Sequence, residues 1–231
     1  MLFLAIETAS EIGGVALLDG ERLLGERRLG DSPSQHAATI LVELNSLQAD
    51  LGYRLDDIEA IALSIGPGSF TGLRIGLATA LGLCFATTRR IVPVPTLAAL
   101  ALDAPTAAAV PMLDARKGQV YTGLYTPESQ AVLEDRVCGP VAWLRELAVR
   151  PDAADLCFLG SGAELYEREI HAEFGPEAGR LSPAAGELSA AKVGRLGARL
   201  AAQGELRDPA AVELRYLRAA EAEEKRRAGH A

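Results

Sequence analysis

The sequence is poor in the side chains that most often build metal and disulfide sites. Its three cysteines are an odd number without a C-x-x-C pair, and its three histidines stand far apart. Neither pattern predicts a disulfide framework or a zinc site, and no G-x-S-x-G motif marks a hydrolase. We expect reduced cysteines and no bound metal. We also expect His36, near the start of an amphipathic helix, to be a surface residue.

Positive charge and long apolar runs are also scarce. The chain has 23 lysines and arginines against 31 acidic residues, a formal net charge of -8, so its overall field does not favour direct binding to nucleic acid. The longest apolar run, 75–86, is shorter than the roughly 20 residues that span a bilayer. The apolar stretch before Glu7 is too short for a signal peptide and lacks a basic lead. We expect a cytoplasmic protein that contacts no membrane.

The order of strands and helices occurs twice along the chain. The first half has three strands, a helix, and then alternating strands and helices, predicted at 2–6, 15–18, 22–29, 34–51, 60–65, 70–88, 91–94 and 96–102. The second half starts again from residue 107, with elements predicted at 107–113, 119–126, 130–137, 141–148, 156–159, 163–171, 180–181 and 189–203.

This doubled order resembles the actin-like fold (ASKHA, ribonuclease H-like), which actin, hexokinase and the Hsp70 ATPase domain share. It implies an α/β protein of two tandem βββαβαβα domains. We expect these domains at 1–103 and 107–218, followed by a charged, flexible tail at 219–231.

Polar and glycine residues follow three of the predicted strands. In the actin-like fold, an acidic residue after the first strand faces nucleotide phosphate and its magnesium ion, and a glycine turn late in the chain contacts adenosine. Ordinary turn chemistry explains the same residues equally well, so both interpretations stay open. The candidates for a vestigial nucleotide cleft are Glu7, Thr8, Ser10, Asp114, Gly160 and Gly162.

The predicted helix from Phe70 to Thr88 is apolar on almost every side. A helix of this kind must be covered all round, and its own sheet covers only one face. Gly72, Gly76 and Ala80, spaced by four, form a ridge of small residues that another helix could approach closely. We predict that this ridge belongs to a subunit interface. The alternative is that the neighbouring helix at 34–51 covers it within the monomer.

Here the resemblance to a family is specific. The stretch GPGSFTGLRIGLATALGLC, from Gly66 to Cys84, closely resembles the signature of the bacterial TsaB (YeaZ) family. LAIETASEIGGVALLDG, DARKGQVYTGLY and Tyr216-Leu217-Arg218 support it in the expected order along nearly the whole chain.

The resemblance implies a non-catalytic subunit that heterodimerises with a catalytic, metal-containing paralogue, TsaD, and works with the ATPase TsaE. TsaD transfers threonylcarbamoyl to the adenosine next to the tRNA anticodon, and tRNA would be reached only through the complex. Where the paralogue has an H-x-x-x-H metal site, this chain has Pro95-Thr96-Leu97-Ala98-Ala99-Leu100, which cannot hold a transition metal.

The resemblance also implies that the two N-terminal helices build the interface. We also expect the chain alone to form a homodimer through the same apolar helix, because a two-fold dimer uses one patch on both partners. No tightly bound cofactor is expected, and ATP or ADP with magnesium would bind only weakly. An independent actin-like ATPase or phosphotransferase remains the alternative function. The predicted interface residues are Ile40, Leu41, Leu44, Gly72, Arg74, Ile75, Gly76, Ala78, Thr79 and Gly82.

Overall fold

The computed structural model describes residues 1–30, 33–85, 87–102, 104, 108–176, 179–180 and 186–218. Within these residues the backbone forms ten strands, arranged in two five-stranded sheets, and seven α-helices. None of those helices combines the length and the apolar character needed to cross a membrane. The predicted tail, 219–231, lies outside the described residues.

The first half of the chain builds one sheet and three helices. Its strands are β1 (Leu2–Glu7), β2 (Gly14–Asp19), β3 (Arg22–Arg28), β4 (Ala60–Gly66) and β5 (Arg90–Pro95). Its helices are α1 (Pro33–Leu51), α2 (Phe70–Cys84) and α3 (Thr96–Ala101).

The second half repeats this order of elements. Its strands are β6 (Ala108–Asp114), β7 (Val120–Tyr125), β8 (Ala131–Cys138), β9 (Leu156–Leu159) and β10 (Gly179–Arg180). Its helices are α4 (Pro140–Ala148), α5 (Ser161–Leu165), α6 (Glu167–Phe174) and α7 (Ala190–Ala202). One helix predicted at 163–171 is in fact two, because the chain breaks at Tyr166 between α5 and α6.

The two sheets have equivalent topology. Strand order is β3-β2-β1-β4-β5 in the first and β10-β9-β6-β7-β8 in the second. In each sheet the three leading strands pair antiparallel, and the strands that follow are added in parallel. This arrangement confirms the predicted actin-like fold.

The first sheet is buried on both faces, and the alternation of side chains along β1 shows how. Leu4 and Ile6 join the apolar cluster with α1 and α2, while Phe3 and Ala5 join the cluster that contains α3 and α7. Because successive side chains of a strand point to opposite faces, one apolar run supplies both cores.

Helix α7 follows the second half in sequence but packs against the first sheet. A Cβ at Gly194 would lie 2.2 Å from Leu18 Cδ1, and one at Gly197 would lie 2.5 Å from Ala62 Cβ. The sequence did not predict this placement. The predicted boundary between domains, at 103–106, falls mostly outside the described residues and stays a prediction.

Helix α2 ends at Cys84, four residues before the predicted end. The buried guanidinium of Arg89 donates to Leu83 O (3.0 Å), and it also binds Ile58 O (2.9 Å) and Leu55 O (2.7 Å). It thereby takes a carbonyl that the last turn leaves unpaired and ties the helix end to the segment before β4.

The C-terminal strap, residues 205–218, returns along the first sheet after α7. Arg207 and Ile91 exchange backbone hydrogen bonds of 2.8 and 3.1 Å, and Arg215 N donates to Ile65 O (2.7 Å). The strap also reaches the second half, where Arg218 Nη1 donates to Ala115 O (2.8 Å). It therefore contacts both halves of the chain.

Candidate functional site

Glu7 ends β1 and is fully buried. Its Oε1 accepts hydrogen bonds from Ala9 N (2.5 Å) and Ser10 N (3.0 Å), and its Oε2 accepts one from Ser10 Oγ (2.6 Å). The carboxylate therefore caps its own turn. In this conformation it offers no free oxygen pair to a hydrated magnesium ion.

Burial raises the pKa of Glu7 from 4.5 to about 7, even though its hydrogen bonds with Ser10 and Ala9 act to lower it. A buried carboxylate loses the water that stabilises its charge, and three donors do not fully replace it here. Glu7 is thus close to half protonated at neutral pH.

The other predicted cleft acid, Asp114, ends β6 and binds within its own turn. Its Oδ1 accepts from Arg116 N (2.8 Å), and its Oδ2 lies 3.1 Å from Arg116 Nη1. Arg116 also pairs with Glu11 on the turn after β1, so an ion pair joins the two turns. The structure gives Glu7 and Asp114 separate partners.

Gly160 and Gly162 lie at the turn between β9 and α5, as predicted. Gly160 has φ +97°, and a Cβ there would lie 2.5 Å from Met112 O; one at Gly162 would lie 2.9 Å from Met112 C. Only glycine fits at such distances, so close packing against β6 accounts for both residues. Among the described residues, no group of three His, Cys, Asp or Glu side chains could hold a metal.

The ridge of small residues on α2 is covered within the chain. A Cβ at Gly72 would lie 1.9 Å from Thr8 O, and one at Gly76 would lie 2.3 Å from Thr8 Oγ1. Thr8 is itself buried and packs against α2. The prediction of an open ridge at Gly72, Gly76 and Ala80 is therefore wrong, because the turn after β1 occupies it.

Helices α1 and α2 contact each other, and both contact strands of the first sheet. The predicted interface residues divide by burial. Ile40 and Leu44 are in the core, Ile75 and Thr79 are half-buried, and the exposed members are Leu41, Arg74, Ala78 and Gly82. Spacing alone did not separate core from outer positions, because apolar residues occupy both.

The exposed outer side of these helices is apolar, and we call it the α1–α2 surface. Val42 is 62% exposed and Phe85, directly after α2, is 83% exposed. The other exposed residues of the two helices, at 37, 38, 41, 45, 46, 49, 50, 71, 74, 78, 81 and 82, include two charged side chains, Asp50 and Arg74. The predicted interface did not include Val42, Leu81 and Phe85. For Val42, its position off the stripe of Ile40 and Leu44 on α1 was the available signal.

His36, predicted at the surface, is buried. Its Nε2 lies 3.1 Å from Glu11 O, and a Cβ at Gly13 would lie 2.7 Å from the same nitrogen. Burial lowers the pKa of His36, since the charged ring is poorly solvated there. The residue therefore packs α1 against the turn after β1.

Comparisons with known proteins find the related TsaD and TsaB proteins. The family model described as "TsaD: tRNA N6-adenosine threonylcarbamoyltransferase" matches residues 31–225. The tRNA threonylcarbamoyladenosine biosynthesis protein TsaB of Bacillus subtilis (strain 168) is 30% identical over 235 residues, covering 97% of each chain. The TsaB of Escherichia coli (strain K12) is 34% identical over 57% of this chain and 58% of its own.

A solved structure extends the likeness to three dimensions. The structure described as YeaZ from Pseudomonas aeruginosa superposes with a TM-score of 0.76 at 29% identity, covering 94% of this chain and 99% of that one. The signature at Gly66–Cys84, the doubled topology and the full-length relative all agree. The chain belongs to the TsaB family.

Proposed function

We propose that this chain is a non-catalytic subunit in the synthesis of threonylcarbamoyladenosine on tRNA and that it docks on the catalytic paralogue TsaD. Its relatives named TsaB are described as proteins of that biosynthesis. The match to the TsaD family model supports a common fold for the two subunits, and similar folds can present equivalent helices to each other.

The α1–α2 surface is the observation that carries the proposal. Its exposed residues between 37 and 49 and between 78 and 85 have no charged side chain, and Asp50, which follows them on α1, pairs with Arg27. Monomeric proteins rarely expose an apolar helix pair of this kind, and such patches mark interaction sites. Because Leu41, Val42, Leu81 and Phe85 already lie in water, docking removes apolar area without first opening the fold.

The turns of the cleft support a subunit without its own catalysis. The carboxylate of Glu7 is occupied by its own turn, and Asp114 is held by Arg116. Thr96 and Leu97, at the position of the paralogue's metal site, are buried in α3, and Thr96 Oγ1 accepts from Gly66 N (3.0 Å). None of these groups is arranged as a phosphate or metal ligand.

Several further assignments belong to the same proposal. TsaE joins the complex, and tRNA is bound only through it, which agrees with the net charge of -8. The protein acts in the cytoplasm. Alone, it forms a homodimer through the same surface, because a two-fold dimer uses one patch on both partners.

A charge placed on the α1–α2 surface tests the docking site. Val42→Asp should weaken the complex with TsaD by at least about 30-fold, because it buries a carboxylate in an apolar contact. Leu165→Asp is a matched control, since Leu165 is 58% exposed but lies on α5. Size-exclusion chromatography and threonylcarbamoyl transfer by the reconstituted complex are the measurements. Equal complex formation by both variants would refute the docking site.

A further inference from the structure

Arg74 is the only charged residue of α2, and it lies on the exposed side of the helix. An exposed arginine is ordinarily mobile and solvated. Here, however, the guanidinium carbon lies 3.8 Å from the centre of the Phe70 ring. Arg74 Nε also donates a hydrogen bond to Tyr216 Oη (3.3 Å). Two aromatic residues therefore fix the orientation of this one cation.

The two aromatic residues are themselves held in place. Their ring centres are 5.0 Å apart, so each limits the motion of the other. Phe70 is the first residue of α2, whose start is capped by Ser69 Oγ accepting from Gly72 N (3.1 Å). Because Phe70 and Tyr216 are both held in place, they in turn restrict the position of Arg74.

The C-terminal strap holds Tyr216 from the other side. Arg215 N donates to Ile65 O (2.7 Å), and Arg215 Nη1 donates to Asp135 Oδ2 (2.8 Å) in the second half. Asp135 Oδ1 accepts from Tyr125 Oη in turn. The residue before Tyr216 is therefore tied to both sheets, and these contacts restrict the position of Tyr216.

Among the described residues, the terminal nitrogens of Arg74 have no hydrogen-bond or ion-pair partner. In the part of the chain that the structure describes, Arg74 makes the contact to Tyr216 and the stacking on Phe70, and no carboxylate lies within ion-pair distance. With Nε engaged, Nη1 and Nη2 form a planar pair of donors. That pair matches the two oxygens of one carboxylate.

We propose that Arg74 forms a bidentate ion pair with an aspartate or glutamate of the partner subunit. The inference rests on the proposed function, since it assumes that docking covers the α1–α2 surface. Once Ala78 and Leu81 are covered, Arg74, on the same exposed side of α2, loses water as well. A covered charge without a partner weakens binding by roughly 100-fold or more, so the partner must supply an anion there.

Forming this ion pair also costs little side-chain entropy. Lost side-chain freedom is a large part of what association costs, and Phe70 and Tyr216 have already restricted Arg74. The absence of other charges among the exposed residues of α2 leaves the approaching carboxylate a single place to bind. The pair therefore sets the register of docking as well as its strength.

The test is the dissociation constant of the complex with purified TsaD, measured by calorimetry at low and high salt. Arg74→Ala should raise it at least about 10-fold and reduce its salt dependence. Arg74→Lys keeps the charge but loses the planar pair and should recover only part of the affinity. Tyr216→Phe should cost about 3-fold, through orientation alone. Arg168→Ala, at an exposed arginine of α6, is the control and should bind normally.

A charge swap then identifies the acid. Arg74→Glu should bind poorly, and one Asp→Arg or Glu→Arg variant of the partner should restore at least about 10-fold of the loss. Normal binding by Arg74→Ala overturns the inference. The inference is also overturned if every charge swap fails to restore binding and inorganic phosphate displaces the partner. If Val42→Asp also binds normally, the docking surface itself is wrong. If Val42→Asp fails and Arg74→Ala binds, only the ion pair is wrong.

Discussion

The buried carboxyl of Glu7 makes the stability of this protein depend on pH in a way that one substitution should remove. Glu7→Gln keeps the size of the side chain and its carbonyl oxygen, which can still accept from Ala9 N and Ser10 N. The new amide can donate to Ser10 Oγ, which accepts as well as donates. The variant therefore removes the ionisation and little else.

The expected magnitude follows from the raised pKa. Burial raises the pKa of Glu7 from 4.5 to about 7, so the folded protein holds a proton between those values that the unfolded chain releases. The stability that this proton provides is complete below pH 4.5 and is lost as pH rises through 7. Between pH 5 and pH 8 the wild type should lose about 2.5 kcal/mol relative to Glu7→Gln.

Urea unfolding at pH 5, 6, 7 and 8 measures this difference, since other titrating groups are common to both proteins. The gap in unfolding free energy should widen with pH in favour of Glu7→Gln and level off above pH 7. A gap that stays constant within about 0.5 kcal/mol would mean that Glu7 titrates as an ordinary exposed acid. The account of the turn after β1 would then be incorrect.

Of three further predictions, the first two use neighbouring residues as controls. Gly72→Ala should destabilise the fold by about 2 kcal/mol or more, because the new Cβ would meet Thr8 O. Gly82→Ala has open space around it and should be neutral or stabilising. Urea unfolding of the two variants measures the difference. Arg89→Ala should lower the unfolding free energy by about 2 to 4 kcal/mol, because three hydrogen bonds to backbone carbonyls are lost. Arg90→Ala removes only an exposed ion pair and should change the unfolding free energy by less than about 1 kcal/mol. Calorimetry with ATP and magnesium should show no saturation at about 1 mM, because the cleft acids are already engaged, and tight binding would favour an independent ATPase.

The fold was largely predictable because its signals are local. Leu2 to Ile6 is a continuous apolar run, which predicts a strand buried on both faces, and the repeated order of elements predicts the doubled topology. The position of α7 was not predictable. Its apolar stripe shows that one side of the helix is buried. The sequence does not say which sheet covers that side, because Gly194 and Gly197 would fit against any sheet with side chains like Leu18 and Ala62 at the contact.

The site was less predictable, because burial depends on contacts distant in sequence. Gly72 and Gly76 permit close approach of some backbone, and the sequence could not say that Thr8 is the group that approaches. The end of α2 depends on Arg89 binding Leu55 O and Ile58 O, which lie about 30 residues earlier in the chain. Glu7 was identified as special from its position, but its own turn, rather than a ligand, binds it.

The most direct test of the docking surface compares two exposed apolar residues of equal accessibility. Phe85 is 83% exposed beside the end of α2, and Val149 is 84% exposed just after α4. The measurement is the dissociation constant for purified TsaD by calorimetry. Phe85→Asp should bind at least about 30-fold more weakly than the wild type, and Val149→Asp should bind as the wild type does. Equal affinity of the two variants would contradict the assignment of the α1–α2 surface.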